Sequence, residues 1–312
     1  MKLILFGTSR FAIPSFEALK RSRHNISMVV TQPDRRGGRH LRIIESPVKR
    51  WANENNYTLY QPQNDLEIRV ILERFKADLF VVIGYGKILP PDIIDIPKYY
   101  SINIHPSLLP KYRGAAPINW AIINGERETG VTIFRLSSKM DAGEIILQRR
   151  IEINPDDTNL TLDKRLSEIG ADMLIEALKK IEDNQIDFKP QDDRLATYAP
   201  KLKKEDGLID WSKDSKRIYN LIRGTQGWPG AFTFYKGKRL KIFKVEIVDR
   251  EECKERIVPG EVVDIKKDDG IIIKTGRGYL SILNLQIEAK KRMSAQQFIL
   301  GSSLKVGDIL GQ

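Results

Sequence analysis

The feature that most constrains the fold is the near-continuous apolar run ADLFVVIGYG at residues 77–86, which ends in glycine. A strand with one wet face alternates apolar and polar residues, whereas a central strand of a parallel sheet is covered on both faces. Directly before it, LEIRVILERFK (66–76) has its apolar residues at helical spacing. The two stretches together predict a parallel sheet with helices packed on both sides.

Strand and helix signals alternate in the same way along the first half of the chain. Strands are predicted at KLILFG, ISMVVTQ (26–32), SINIH (101–105) and TGVTIFRL (129–136). Helices are predicted around 13–21, after the N-cap candidate Ser46 with Pro47, and over the long amphipathic stretch 161–183. We therefore expect a doubly wound, Rossmann-like α/β domain over residues 1–188.

The sequence pattern changes after residue 188. A polar stretch with two prolines predicts a linker over 189–205, and alternating strand-like runs follow it. Gly-bearing turns at Lys236-Gly237, Asp269-Gly270 and Gly276-Arg-Gly278 are typical of β-hairpins. We expect residues 206–312 to form a small OB-like β-barrel.

The charge of the chain is unevenly distributed. Its 52 Lys and Arg against 41 Asp and Glu give a formal net charge of +11. Residues 200–312 hold 23 of these basic and 15 of these acidic side chains, so most of the excess lies in the last third. Such a distribution favours a polyanionic partner, although many basic proteins bind no nucleic acid.

Cysteine and histidine usage limits the chemistry and the compartment. The single Cys253 can form no internal disulfide, which favours a reducing compartment. One Cys and the separated His24, His40 and His105 also argue against a zinc site built by the protein. The opening MKLILFG is too short for a signal peptide or a membrane span, so we expect a cytoplasmic protein without a membrane partner.

The turn after the first strand reads Gly7-Thr8-Ser9-Arg10-Phe11. A dinucleotide-binding fold needs G-x-G-x-x-G there, so that the backbone can approach a pyrophosphate. That pattern is missing, which argues against a nicotinamide or flavin cofactor. Gly7 is then interpreted as a turn at the end of a strand.

A polar pair interrupts the apolar pattern in SINIHPSLLPKYRGAAP (101–117). Asn103 and His105 are two residues apart on a predicted strand, so their side chains point the same way. An amide donor and an imidazole suit a carbonyl that becomes an oxyanion, and Asp141 in SSKMDAGEII could orient the imidazole. Spacing alone leaves a second interpretation open, in which the three residues serve a strand end and turns.

Longer stretches of the sequence around these three residues resemble a known protein family. NIHPSLLPKYRGAAP followed by NGERETGVTIFRLSSKMDAGEII closely resembles the catalytic core of the folate-dependent formyltransferases. The stretches LFGTSRFAIPSFEAL, TQPDRRGGRHLRIIESPVKRWA, TYAPKLKKEDGLIDW, RGTQGWPGAF and LQIEAKKRMSAQQFILG extend the resemblance over nearly the whole chain. They favour the branch of the family that formylates initiator methionyl-tRNA.

The resemblance implies a role for each matching residue. Asn103, His105 and Asp141 would be catalytic, and 10-formyltetrahydrofolate would be the formyl donor, with no metal. The residues expected to hold the folate are Ser107, Leu108, Leu109, Pro110, Tyr85, Gly86 and Leu89. A monomer is expected.

The resemblance also implies a surface for transfer RNA. The basic insertion after the second strand would contact the acceptor stem through Arg35, Arg36, Arg39 and Arg42, and the Lys290-Lys291 pair would contribute from the last third. Without the resemblance, a solvated charged loop is the preferred interpretation of the insertion. Two departures from the family pattern lie in the last third, where Gly227 replaces an expected proline and Ala289 an expected glycine.

Three alternative functions share part of this evidence. A formyltransferase acting on an amino-sugar nucleotide would share the catalytic residues but would not need the arginine insertion. A formyl-folate hydrolase would leave the basic last third unexplained. An RNA-binding module without catalysis would leave Asn103, His105 and Asp141 without a role.

Overall fold

The computed structural model describes residues 1–37, 42–250, 257–266 and 270–311. These residues divide into two compact units. The first contains Met1–Pro117, Glu128–Glu152 and Asp163–Pro200, and the second contains Ile118–Arg127, Ile153–Leu162 and Lys201–Gln312. Two short segments from within the first 162 residues thus belong to the second unit.

Among the described residues, the first unit contains nine strands, and six α-helices begin before residue 200. The strands are β1 (Lys2–Gly7), β2 (Asn25–Val30), β3 (Arg35–Gly37), β4 (Arg42–Ile44), β5 (Leu59–Tyr60), β6 (Leu79–Ile83), β7 (Tyr100–His105), β8 (Glu128–Arg135) and β9 (Ile145–Glu152). The helices are α1 (Ile13–Lys20), α2 (Pro47–Glu54), α3 (Asp65–Phe75), α4 (Pro91–Ile94), α5 (Pro117–Ile123) and α6 (Asn159–Glu182).

Seven of these strands form one sheet in the order β5-β2-β1-β6-β7-β8-β9. The pairs from β5 to β7 are parallel, whereas β7-β8 and β8-β9 are antiparallel. The predicted strand 129–136 is therefore present but runs opposite to its neighbour. The periodicity of its residues could not predict the direction of β8, because that direction is set by the chain segment that connects β7 to β8.

The run 77–86 contains the central strand that its composition predicted. β6 is buried along its whole length, and so is β1 beside it from Leu3 to Phe6. A cluster with Ile68 and Leu72 of α3 covers one face of the sheet. On the other face α6 packs closely, since a Cβ added to Gly170 would lie 3.1 Å from Ile104 Cγ2.

Two local predictions are explained by contacts. Ser46 caps α2 by accepting a hydrogen bond from the Lys49 backbone N–H through its side chain. Gly7 ends β1 where an added Cβ would lie 3.0 Å from Phe16 Cζ and 3.1 Å from the Ile83 carbonyl oxygen. The Gly7 position therefore needs a small residue for helix–sheet packing.

The second unit is built on an antiparallel sheet. Its strands are β10 (Phe232–Tyr235), β11 (Lys238–Val248), β12 (Val262–Lys266), β13 (Gly270–Lys274), β14 (Tyr279–Ile287) and β15 (Met293–Ser294), with helices α7 (Ser215–Gly224) and α8 (Ala295–Leu300). The hydrogen-bonded order is β10-β11-β14-β13-β12, and β15 pairs with β14. One apolar cluster joins this sheet to both helices. The prediction of a Rossmann-like α/β sheet followed by a separate antiparallel β region is confirmed.

The stretch predicted as a linker, 189–205, is shared between the units. Residues 189–200 pack within the first unit, where Lys189 pairs with Ile145 and Tyr198 forms a bridge with Arg113. Residues 201–205 belong to the second unit. The Asp269 side of the predicted 269–270 turn lies outside the described residues. In the described ranges, no helix has both the length and the apolar character that crossing a bilayer requires.

Candidate active site

The candidate site lies where two neighbouring parallel strands end. β6 ends at Ile83 and β7 at His105, and the pairing of Val82 with Asn103 aligns them. Loops that leave the carboxyl ends of adjacent parallel strands emerge at the same edge of a sheet. Residues 84–90 and 106–116 therefore flank the same edge.

His105 is almost fully enclosed and its ring orientation is fixed. Nε2 lies 2.9 Å from the Tyr112 carbonyl oxygen. Because a carbonyl can only accept, Nε2 carries the proton of that hydrogen bond. Nδ1 faces Asp141 Oδ2 at 3.7 Å, an ion-pair distance once the ring is doubly protonated. Nδ1 is thus the ring nitrogen that remains available for proton exchange.

Asp141 is held in an unusual backbone conformation. Its φ of +51° lies in the left-handed region, which aspartate tolerates better than most residues. Oδ2 accepts a hydrogen bond of 2.8 Å from the Gly114 N–H. Tyr112, whose carbonyl engages His105, also has a positive φ of +60°. Left-handed residues at two points around one histidine are typical of a functional site.

Asn103 shares the strand with His105 and is half-buried. Its backbone pairs with Val82 on one side and Phe134 on the other. Among the described residues, no hydrogen bond engages its side-chain amide. An amide placed beside a histidine and not committed to the protein can donate to a ligand.

The loop 107–110 is fastened to β8 and β9. The Thr132 hydroxyl donates to the Ser107 carbonyl at 2.7 Å and accepts from the Leu109 N–H at 3.2 Å. Gln148 Nε2 donates to Thr132 Oγ1 and to the Leu109 carbonyl, both at 2.9 Å. The Ser107 side chain is enclosed and donates to the Lys111 carbonyl at 2.7 Å. Ser107 can therefore shape a cleft but presents no free hydroxyl to it.

The second loop of this edge, which follows β6, is fixed through Tyr85. The Thr8 hydroxyl donates to the Tyr85 carbonyl at 2.8 Å, and the Tyr85 ring packs edge-on against Phe6. Burial raises the pKa of the Tyr85 phenol to about 12, so it stays neutral. Leu89 is also buried, whereas Gly86 is exposed with a φ of +80°.

Sequence reasoning missed a buried group that joins the site loops. The Arg113 guanidinium is 4% exposed and donates to Gln191 Oε1 and to Asp193. Gln191 Nε2 in turn donates to the carbonyl oxygens of Asp141 and Gly143. An arginine directly before the Gly114 loop was the available signal, but nothing in the sequence gives its partners.

The basic insertion begins as a short hairpin of β3 and β4. Arg35 pairs with Ile44 and is exposed. Arg39 and the side chains of Arg36 and Arg42 lie outside the described residues.

The base of this hairpin is closed by a polar cluster that the sequence did not predict. Lys49 of α2 forms ion pairs with Asp34, before the hairpin, and with Glu45, after it. Gln61 donates to Asp34 Oδ1 and to the Gln32 carbonyl, both at 3.0 Å. The Lys49 hydrogen bond holds the pKa of Asp34 below its ordinary value.

The lysine pair of the second unit lies on its surface. Lys290 and Lys291 are both exposed. Lys290 lines a groove of about 530 Å³ together with Lys236 and Lys238. Lys291 is not among the residues that line this groove, so of the pair only Lys290 faces it.

The two departures from the family pattern both have positive φ. Ala289, directly before the lysine pair, has a φ of +62°, a conformation that suits the glycine expected there. Gly227 has a φ of +83°, which proline cannot adopt. The backbone at Gly227 is therefore arranged for glycine.

One further carboxyl titrates unusually in the first unit. Burial raises the pKa of Asp163 in α6 to about 6, and the nearby Arg10 opposes that shift only in part. Over the ranges that the structure describes, no three His, Cys, Asp or Glu side chains gather as metal ligands would.

Comparison with known proteins identifies the family. Residues 1–178 match the model of the formyl transferase family, and residues 201–303 match that of the formyl transferase C-terminal domain. The methionyl-tRNA formyltransferases of Acetivibrio thermocellus and Alkaliphilus oremlandii are 43% and 44% identical to this chain, and each alignment covers all of both chains.

Solved structures share the fold at lower identity. HypX from Aquifex aeolicus in complex with tetrahydrofolic acid aligns with a TM-score of 0.62 at 20% identity, covering 96% of this chain and 46% of HypX. The sugar 3N-formyl transferase WlaRD aligns with a TM-score of 0.66 at 22% identity, covering 93% of this chain and 99% of that protein. From the full-length identity and the matched domains, the chain belongs to the methionyl-tRNA formyltransferase family.

Proposed function

We propose that the chain transfers the formyl group of 10-formyltetrahydrofolate to the α-amino group of initiator methionyl-tRNA, which yields formylmethionyl-tRNA for translation initiation. The observation that carries this proposal is the meeting of Asn103, His105 and Asp141 at the carboxyl edge of the sheet. The full-length identity with methionyl-tRNA formyltransferases supports the acceptor.

The reaction forms one C–N bond and breaks another. The methionyl amine, whose ordinary pKa is about 8, is partly neutral at neutral pH and attacks the formyl carbon. The tetrahedral intermediate then expels the folate N10, and the proton lost by the amine passes to that nitrogen. The chain must therefore stabilise an oxyanion and move one proton.

The side chains on β7 suit both tasks. The Asn103 amide is not committed to another described residue and would donate to the oxyanion. His105 Nε2 is tied to the Tyr112 carbonyl, so Nδ1 would serve the substrate. The 3.7 Å separation from Asp141 allows the carboxylate to stabilise a proton on Nδ1 while leaving its N–H able to donate elsewhere.

The loops around this edge would hold the folate. Thr132 fastens the Leu109 N–H and the Ser107 carbonyl, so Leu108, Leu109 and Pro110 would line one side of a folate cleft. Tyr85, whose carbonyl is held by Thr8, would line the other side with Gly86 and Leu89. The bound tetrahydrofolic acid in the HypX structure is in keeping with a folate donor for this fold.

The charge distribution supports binding of transfer RNA by basic groups outside the site of formyl transfer. Arg35, Arg36, Arg39 and Arg42 on the insertion and Lys290 and Lys291 in the second unit would contact phosphates. Each neutralised phosphate releases counterions, so binding should weaken steeply with salt. A flat salt dependence of tRNA binding would contradict this partner.

The proposal is tested by Asn103→Ala, with Asn53→Ala on the exposed face of α2 as the matched control. Loss of one oxyanion donor costs about 10²–10³ in turnover. We expect such a loss for Asn103→Ala with methionyl-tRNA binding intact, and normal turnover for the control. Turnover of Asn103→Ala equal to that of the control would overturn the assignment.

A further inference from the structure

We propose that Gln191 is a positioning residue that holds the Asp141 loop, residues 136–144 between β8 and β9, in the geometry that formyl transfer requires. This inference rests on the proposed function, because it requires Asp141 to take part in formyl transfer. Gln191 itself touches neither His105 nor the folate loop residues Leu108 and Leu109 through any described hydrogen bond.

The side-chain amide of Gln191 joins two loops with four hydrogen bonds. Nε2 donates to the Asp141 carbonyl at 2.9 Å and to the Gly143 carbonyl at 2.7 Å. Oε1 accepts from Arg113 Nε at 3.1 Å and from Arg113 Nη2 at 2.8 Å. Both donor hydrogens and both acceptor positions of the amide are used.

The Asp141 loop needs such an anchor because its own conformation is unfavourable. A left-handed aspartate persists only where its surroundings fix it. Two residues further on, a Cβ added to Gly143 would lie 1.7 Å from the Arg135 carbonyl oxygen, so the loop passes tightly over β8. Gln191 holds the carbonyl groups of this tight passage, while Gly114 holds the Asp141 carboxylate.

Gln191 comes from a segment that neither matched domain contains. The family models cover residues 1–178 and 201–303, whereas Gln191 lies between them. The segment is nevertheless attached to the first unit, since the Arg113 N–H donates to the Thr197 carbonyl and the Ala199 N–H donates to the Arg113 carbonyl. This part of the 189–205 stretch thus supports the loop that carries Asp141.

Only an amide satisfies both sides of this contact. Gln191→Glu keeps acceptors for Arg113 but removes both donors to the Asp141 loop. Gln191→Leu removes both sets. If the residue merely retained Arg113, Gln191→Glu would behave like the wild type. If it positions Asp141, both variants lose turnover.

The test is a double-mutant cycle with Asp141→Asn, with Asp192→Asn as a neighbouring control that keeps the acceptor bonded to Arg194. We expect Gln191→Leu and Gln191→Glu each to lower kcat by about 10- to 100-fold with little change in the KM for methionyl-tRNA. In the Asp141→Asn background the same changes should have no further effect, because residues that act as a unit are not additive. The Asp192→Asn control should turn over normally.

The outcomes separate this inference from the proposed function. Full turnover in Asp141→Asn alone would refute the proposed role of Asp141. A strong Asp141→Asn defect combined with equal Gln191→Leu losses in both backgrounds would overturn only the positioning role. Loss of folded structure in both Gln191 variants, measured by thermal unfolding, would mean that Gln191 is needed for stability. That result would also overturn the positioning role.

Discussion

Replacing Thr132 by valine removes one hydroxyl at the centre of the loop proposed to hold the folate. The side chain keeps its shape, and Thr132 is fully buried on β8. The change takes a donor from the Ser107 carbonyl and an acceptor from the Leu109 N–H. Gln148 keeps one of its two contacts, to the Leu109 carbonyl.

The expected cost follows from the groups left without a partner. Ser107 and Leu109 are 0% and 3% exposed, so water reaches their main-chain groups poorly. An unsatisfied buried group costs about 1–3 kcal/mol, so the two together should lower the free energy of unfolding by about 2–6 kcal/mol. The loosened loop should also raise the KM for the folate.

The measurement is denaturant unfolding combined with steady-state kinetics, and Thr129→Val is the matched control. Thr129 lies on the same strand and is 3% exposed, but no described hydrogen bond engages its hydroxyl. We expect Thr129→Val to unfold within about 1 kcal/mol of the wild type. If Thr132→Val were as stable as Thr129→Val and bound folate equally well, the Thr132 hydroxyl would not hold the 107–110 loop, contrary to the prediction.

Three further predictions concern other parts of the chain. Lys49→Met removes the ion pairs that close the base of the β3-β4 hairpin, which carries the basic insertion. The KM for methionyl-tRNA should rise several-fold while the KM for the folate stays constant. Equal changes in both KM values would contradict a local effect. Asp163 has a raised native pKa, so its contribution to stability is present below the unfolded pKa and is lost as the pH rises through about 6. Asp163→Asn should therefore raise the free energy of unfolding at pH 8 by up to about 3 kcal/mol but not at pH 4, and an equal change at both pH values would contradict the raised pKa. Ala289→Gly should stabilise the second unit by about 1 kcal/mol in thermal unfolding, because glycine adopts a positive φ without strain. Gly237→Ala, at a φ of +72° with open space around the added Cβ, should destabilise it by about as much. A destabilised Ala289→Gly variant would contradict the left-handed conformation of Ala289.

The sequence was sufficient for the elements whose signals are local. The apolar run of β6, the cap at Ser46 and the long helix α6 each follow from periodicity or capping residues. The shared face of Asn103 and His105 follows from strand alternation. These features depend on a few neighbouring residues, which is why a single sequence can predict them.

Features that depend on distant partners could not be predicted in this way. The antiparallel direction of β8 is set by its connection, and the attachment of residues 189–200 is set by Arg113. The polar stretch with prolines predicts a linker, and its hydrogen bonds to the buried Arg113 guanidinium depend on a residue far away in the sequence. The Lys49 cluster was likewise hidden, because its members are spread over residues 34–61.

Formylation of initiator methionyl-tRNA is tested most directly by a formyl-transfer assay that compares acceptors. The purified chain would be given 10-formyltetrahydrofolate together with charged initiator tRNA, charged elongator tRNA, an amino-sugar nucleotide or water alone. We predict rapid formylation of initiator methionyl-tRNA, which Asn103→Ala abolishes almost completely. Preferred formylation of the amino-sugar nucleotide, or release of formate at the same rate without any acceptor, would contradict methionyl-tRNA as the acceptor.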